Sequence, residues 1–126
     1  MRPVKLNDTT DGARAEALAA NWLERHGLLV LARNFRVRGG EIDLVCRDGK
    51  SLVFVEIRLR RNGHFGGAAA SITASKRRRL VLAAQHYLAR HARAADADCR
   101  FDCVLMSALD ETAIEWEKNA FSADDI

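Results

Sequence analysis

The sequence predicts a single α/β domain with one central mixed sheet flanked by helices. Its hydrophobic patterns follow the order α-β-β-β-α-β-β over 126 residues, a length that suits one domain spanning residues 1–126. The dipeptide Asp48-Gly49 is a strong signal for a tight hairpin. The strand that follows it is apolar on both faces, so we expect helices on both sides of the sheet.

The first half of the chain predicts one helix and an antiparallel meander. Apolar residues recur every three or four positions from Thr10 to His26, and Gly27 supplies a stop. Residues 1–9 are polar, and we expect them to be disordered. Alternating apolar stretches separated by glycine turns then predict three consecutive strands, at 28–37, 41–48 and 51–60.

The second half predicts a helical region followed by two strands. A glycine-punctuated loop at 61–67 precedes a short helix at 68–72. Thr73 is suited to cap a long helix running to Ala94. The helix is expected to bury a stripe made of Leu80, Ala83, Ala84, Tyr87 and Leu88. The remaining strands are expected at 100–109 and 112–118.

Composition narrows the possible functions without choosing one. The net charge of +3 and pI of about 9.0 tolerate a polyanionic partner but do not require one. The three cysteines form no CxxC pair, which argues against a disulfide framework or a zinc site and favours buried reduced thiols. The beginning of the chain does not resemble a signal peptide, and no stretch has the length of a membrane span, so we expect a cytoplasmic protein.

Two acidic residues on neighbouring predicted strands form the strongest candidate site. Asp43 and Glu56 lie at equal distances from the centre of the predicted hairpin, so they should face each other across the two strands. Like charges placed opposite each other destabilise a sheet unless something compensates them, and the candidates are a metal ion or Arg58. Mg²⁺ prefers carboxylate oxygens and keeps water, which can attack a phosphodiester. A structural ion cluster, in which Arg58 neutralises the carboxylates, remains the alternative.

Two helices contribute further candidates. Glu16 borders the apolar stripe of the first helix and could point toward the sheet, although a solvated helix charge is the alternative. The long helix begins with four cations, Lys76, Arg77, Arg78 and Arg79, which oppose the helix dipole and would be relieved by a phosphate. Lys76 falls on the buried stripe and is expected to face the carboxylates, whereas the three arginines are expected to face solvent or a partner. A solvated basic face is the alternative for this cluster.

The motifs in this order resemble the YraN family, a group of bacterial endonuclease-like proteins. The resemblance runs from Gly12 to Phe121, and its motifs are Gly12 with Glu16, GEIDLV, FVEIRLR, Phe65-Gly66, Lys76, the RFD of 100–102 and the NAF of 119–121. That family is similar to Holliday-junction resolvases and belongs to the PD-(D/E)xK nucleases. The resemblance implies a restriction-endonuclease-like fold.

The resemblance also implies roles for individual residues. Asp43 and Glu56 would be metal ligands, and Glu16 would be a further acidic residue of the site. Glu41, Arg60 and Lys76 would lie near it. Position 58 would carry the catalytic lysine, but the family pattern E-V-K reads E-I-R here. Arginine stays charged and cannot act as a base, so we expect attenuated activity, with lysine's role open to Lys76 or Arg60.

These observations lead to one main hypothesis and two alternatives. The first is a Mg²⁺- or Mn²⁺-dependent DNA endonuclease, with branched DNA in recombination or repair as a candidate substrate. Its catalytic residues would be Asp43, Glu56, Arg58 and Glu16, and its nucleic-acid contacts would be Arg60, Lys76 and the arginines at 77–79. The second is a non-catalytic nucleic-acid-binding module on the nuclease fold. The third is an interaction protein built around a homodimer.

Overall fold

The structure is a computed structural model that describes residues 3–60, 67–91, 93 and 96–125. Its helices are α1 (Pro3–Arg25), α2 (Gly67–Ala70) and α3 (Ala74–Arg90). Its strands are β1 (Leu29–Val37), β2 (Gly40–Asp48), β3 (Ser51–Leu59), β4 (Cys99–Met106) and β5 (Ile114–Phe121). Two short 3₁₀ helices cover Glu111–Ala113 and Ala123–Asp125.

The five strands form one sheet in the order β1-β2-β3-β4-β5. The first three strands are antiparallel neighbours, β4 runs parallel to β3, and β5 is antiparallel to β4. The parallel step follows from the helical crossover through α2 and α3, since a parallel neighbour cannot be reached by a tight turn. The predicted mixed sheet and element order are therefore confirmed.

Several element boundaries differ from the prediction. Helix α1 begins at Pro3 rather than Thr10, because proline suits the first helical position and the polar residues after it contain no helix breaker. A helix terminus can fray, so disorder of residues 1–9 stays a prediction. Helix α3 ends at Arg90 rather than Ala94, and β5 extends beyond residue 118 to Phe121. None of the helices in the described ranges combines the length and apolarity needed to span a bilayer.

Each face of the sheet carries its own hydrophobic core. Helix α3 buries its stripe on one face, where Phe54 packs edge-on against Tyr87 and beside Phe101. Helix α1 covers the other face, where Leu23 packs in one cluster with Val53 and Val55. Helices on both sides of the sheet were predicted from the two apolar faces of β3, and the two cores confirm them.

Gly40 brings α3 unusually close to the sheet. A Cβ at this position would lie 2.4 Å from the carbonyl oxygen of Arg79 and 3.2 Å from the nitrogen of Ala83. The glycine that opens the GEIDLV motif therefore allows the helix backbone to rest directly on β2. This contact fixes the first turns of α3, including Lys76, relative to the acidic strands.

Asp102 ties β4 to β5 through a complete set of hydrogen bonds. Its carboxylate accepts from Arg100 Nε at 2.9 Å, from Trp116 Nε1 at 3.0 Å and from the backbone nitrogen of Asn119 at 2.9 Å. Arg100 in turn donates to Asp48 at 2.9 Å. Asn119 has a left-handed backbone, with φ of 54°, beside the register shift between the two strands. The RFD and NAF motifs therefore meet in one structural network.

Candidate metal and nucleic-acid site

The candidate site lies where β2 and β3 separate. Their paired residues end at Leu44 and Val55, the pair next to Asp43 and Glu56. Beyond that point the backbone nitrogen of Ile57 donates to the Asp43 carboxylate, at 2.8 Å, instead of to a backbone carbonyl of β2. The predicted hairpin register is confirmed, and the Asp43 side chain fills the opening between the diverging strands.

An irregularity shared by β1 and β2 sets the direction of Asp43. Ile42 and Val45 both pack in the core under α3, although residues three apart on a regular strand point to opposite faces. Ala32 and Phe35 on β1 behave in the same way. In both strands the regular alternation of side chains between the two faces of the sheet is therefore interrupted at the same level. Asp43 lies at this interruption and belongs to neither hydrophobic core.

Glu56 is buried, and one of its two carboxylate oxygens lacks a hydrogen-bond partner among the described residues. The residue is 3% exposed, and its Oε1 atom has no hydrogen-bond partner in the described part of the chain. Its other oxygen, Oε2, lies 3.8 Å from Arg58 Nη1 and 3.9 Å from Lys76 Nζ. These are ion pairs without hydrogen bonds, so the carboxylate is partly neutralised but not satisfied.

Arg58 pairs with one of the two carboxylates and does not bridge them. Its guanidinium pairs with Glu56, and no hydrogen bond from it to Asp43 occurs within the described residues. Its Nε atom is buried without a partner. Lys76 reaches the same oxygen from the first turn of α3, as its place on the buried stripe predicts. The site thus combines an arginine from the sheet with a lysine from the helix.

The environment favours protonation of both central carboxyl groups. Burial, and then the nearby Asp43, raise the pKa of Glu56 above its ordinary value. Burial likewise raises the pKa of Asp43, while the hydrogen bond from Ile57 opposes that rise. Acidic groups with perturbed pKa values beside two cations make this opening a candidate functional site.

Glu16 approaches this site through Asn34, which the sequence analysis did not identify. Asn34 Nδ2 donates to Glu16 Oε1 at 3.1 Å. Burial, and to a smaller extent Asp43 and Glu41, raise the pKa of Glu16, while Asn34 and Arg36 oppose that rise. The signal that could have revealed Asn34 is an asparagine in the middle of an otherwise β-forming stretch, because asparagine tolerates a left-handed backbone.

The donor set suits a hard divalent cation, which would complete its shell with water. No group of three or more His, Cys, Asp or Glu side chains in the described ranges is placed to hold a metal ion. Mg²⁺, however, is commonly bound through one or two carboxylates together with water and substrate oxygens. Asp43 and the unpartnered Oε1 of Glu56 match that requirement.

The predicted basic cluster divides into two kinds of residue. Arg78 and Arg79 are exposed and available to a partner. Arg77 was expected to face solvent or a partner. It is half-buried, donates to the carbonyls of Ile72 at 3.0 Å and Ala69 at 2.7 Å, and lies over the Phe121 ring, so its contact with a partner stays a prediction.

Arg60, the other basic residue expected near the site, is exposed and lies 3.5 Å from the Ser71 carbonyl. Residues 61–66, including His64 and the Phe65-Gly66 motif, lie outside the described residues.

Fold and site together define a mixed α/β domain with an acidic opening in its sheet. The chain belongs to the uncharacterised protein family UPF0102, whose model matches residues 15–106. This assignment confirms the YraN resemblance drawn from the motifs.

Relatives match over nearly the whole chain. A UPF0102 protein of Dechloromonas aromatica is 64% identical over 97% of this chain and 98% of its own length. One of Methylobacillus flagellatus is 54% identical over 89% of this chain and 96% of its own length. One of Enterobacter sp. is 48% identical over 98% of this chain and 92% of its own length.

Proposed function

We propose that this protein is a Mg²⁺- or Mn²⁺-dependent DNA endonuclease, with branched DNA as its candidate substrate. The observation that carries the proposal is Glu56, whose Oε1 atom is buried, unpartnered and adjacent to Asp43. A buried carboxylate without donors destabilises the fold unless a cation completes it. A divalent ion shared with Asp43 would supply that charge where a phosphodiester could also bind.

Asp43 and Glu56 are the residues that would hold the ion. Such an ion polarises a phosphoryl oxygen and lowers the pKa of a water molecule, which is the chemistry needed for phosphodiester hydrolysis. The hydrogen bond from Ile57 keeps Asp43 oriented into the opening. Glu56 is fixed by the packing of β3 between two cores. The protein thus holds both ligands on rigid strands.

Arg58 and Lys76 would together supply the functions that one catalytic lysine has in PD-(D/E)xK nucleases: Arg58 the positive charge and Lys76 the amine. Arg58 remains charged and can stabilise negative charge on the phosphate, but it cannot accept a proton. Lys76 Nζ lies 3.9 Å from the same Glu56 oxygen, so an amine is present at the site. The arginine at position 58 predicts a slow enzyme, and Arg58→Lys is expected to raise the rate. Arg78 and Arg79 are exposed and would contact the DNA backbone.

The test is nicking of supercoiled, linear and four-way DNA in Mg²⁺ or Mn²⁺. Wild type is expected to nick at least one substrate, and Asp43→Asn and Glu56→Gln are expected to abolish the activity, because each removes a charged ligand. Glu24→Gln changes an exposed carboxylate on α1 and serves as the matched control. Absence of cleavage by wild type on every substrate with both metals would contradict the proposal.

A second function is favoured by one specific observation. Two cations already lie within 4 Å of Glu56 Oε2, at 3.8 and 3.9 Å, and they reduce the need for a metal. On this basis the protein would be a non-catalytic nucleic-acid-binding module. Its DNA binding would then weaken steeply with salt and would not depend on Mg²⁺ or Mn²⁺. Electrophoretic shifts with and without Mn²⁺, at two salt concentrations, separate the two functions.

A further inference from the structure

Asn34 has a left-handed backbone although it lies within a β-strand. It lies within β1 with φ of 51°, in the left-handed region that non-glycine residues rarely occupy. The pairs Arg33–Leu44 and Phe35–Ile42 lie on either side of it, so Asn34 stands across from Asp43. Asn34 lies between Ala32 and Phe35 and Asp43 lies between Ile42 and Val45, so both residues stand where the strands lose their alternation, whereas the register shift lies farther along, between Val30 and Ala32.

The side chain of Asn34 also contacts helix α1. The Asn34 amide nitrogen donates to Glu16 Oε1 at 3.1 Å and so connects β1 to α1. The nearby charge of Asp43 contributes to raising the pKa of Glu16, and the hydrogen bond from Asn34 acts in the opposite direction. An amide donor is suited to this task because it stabilises an ionised carboxylate without adding another charge that could compete for a cation.

We propose that Asn34 is a positioning residue that holds Glu16 beside Asp43, where Glu16 binds the hydration water of the divalent cation. This inference rests on the proposed function. We assign Glu16 to the hydration water rather than to the ion itself, because Asn34 already occupies its Oε1 atom. Mg²⁺ dehydrates reluctantly and keeps several waters, which need oriented acceptors. Residues that orient such acceptors commonly change metal affinity when they are replaced.

The chain offers a matched control for testing this role. Asn119 is the second asparagine with a left-handed backbone in the described ranges, and it belongs to the Asp102 network rather than to the acidic site. Glycine tolerates positive φ at both positions. Asn34→Gly and Asn119→Gly therefore remove one amide side chain each from an exposed strand position with the same backbone requirement.

The experiment is calorimetric titration of Mn²⁺ into wild type and four variants. Asn34→Gly is expected to weaken Mn²⁺ binding roughly 10- to 100-fold, Glu16→Gln to weaken it similarly, and Asn119→Gly to leave it unchanged. The double variant Asn34→Gly with Glu16→Gln should bind no more weakly than Glu16→Gln alone, since the two residues act as one unit. Thermal unfolding of each variant separates weaker binding from loss of the fold.

Two outcomes distinguish failure of this inference from failure of the proposed function. If wild type binds Mn²⁺ and Asn34→Gly binds it equally well, Asn34 has no positioning role although the metal site stands. The same conclusion follows if the two substitutions weaken binding additively. If wild type binds no Mn²⁺, the proposed function fails and this inference falls with it.

Discussion

Two buried carboxylates in the same sheet differ sharply in how their charge is compensated. Asp102 is 1% exposed and accepts hydrogen bonds from a guanidinium, an indole and a backbone nitrogen. Glu56 is 3% exposed, has two cations near one oxygen and no partner for the other. They are the only two buried charged residues in the described part of the chain. The comparison separates a carboxylate whose hydrogen bonds are supplied by the fold from one that is left, within the described ranges, with an unpartnered oxygen.

The difference explains why burial alone does not identify a functional residue. The energetic cost of removing Asp102 from water is recovered by donors that the fold itself provides. The cost of burying Glu56 is recovered only in part, because its ion pairs are long and lack hydrogen bonds. Removing the charge of Asp102 should therefore lower the stability of the protein, whereas removing the charge of Glu56 in the absence of metal should raise it.

Removing the charge of Asp102 should have the largest effect on stability. Asp102→Asn leaves Asp48 as the one remaining charged partner of Arg100 within the described residues and sets an amide against the donors of Trp116 and Asn119. We therefore expect a loss of about 3–5 kcal/mol in the free energy of unfolding. Urea denaturation monitored by tryptophan fluorescence measures it. Asp98→Asn, at an exposed carboxylate just before β4, is the control and should change stability by less than about 0.5 kcal/mol. If Asp98→Asn and Asp102→Asn lowered the free energy of unfolding by similar amounts, the hydrogen bonds of Asp102 would not contribute more to stability than an exposed carboxylate does.

Divalent cation should stabilise the protein through Glu56 and not through Asp102. At a Mn²⁺ concentration of about 100 times the dissociation constant, wild type should gain about 2.7 kcal/mol in the free energy of unfolding. Glu56→Gln should gain almost nothing, because the neutral amide is a poor ligand for a hard cation. Thermal melts with Mn²⁺ and with EDTA provide the measurement, and Glu24→Gln should behave as wild type. An equal gain in Glu56→Gln would place the cation elsewhere on the molecule.

The sequence predicts the fold better than it predicts this contrast. Hydrophobic periodicity and the Asp48-Gly49 turn are local signals, and they specify the elements and the register that brings Asp43 opposite Glu56. The position of Lys76 beside Glu56 also follows from helical periodicity.

What the sequence does not reveal depends on contacts between distant segments. The left-handed backbone of Asn34 breaks the alternation that strand prediction assumes. Arg77 turns back to the carbonyls of Ile72 and Ala69, so adjacent cations in one helical turn have different partners. The completeness of the Asp102 network depends on donors from Arg100, Trp116 and Asn119, which only the folded sheet brings together.

The smallest predicted effect is on the pH dependence of stability without metal. The pKa of Glu56 is raised above its ordinary value of 4.5 in the folded protein, so the native state keeps a proton that the unfolded chain loses. Stability should therefore fall as pH rises above about 4.5.

Glu56→Gln removes the part of this dependence that Glu56 contributes, because the amide does not titrate, while Asp43 and Glu16 keep titrating in both proteins. Near pH 8 in EDTA, the variant should exceed wild type by on the order of 1–2 kcal/mol, the lower part of the range for an unsatisfied buried group, since Arg58 and Lys76 compensate part of the charge. Near pH 5 the two proteins should be similar. Urea titrations at both pH values measure the difference. A wild-type protein that gains stability relative to Glu56→Gln as pH rises would mean that the existing cations already satisfy Glu56, leaving no demand for a metal ion.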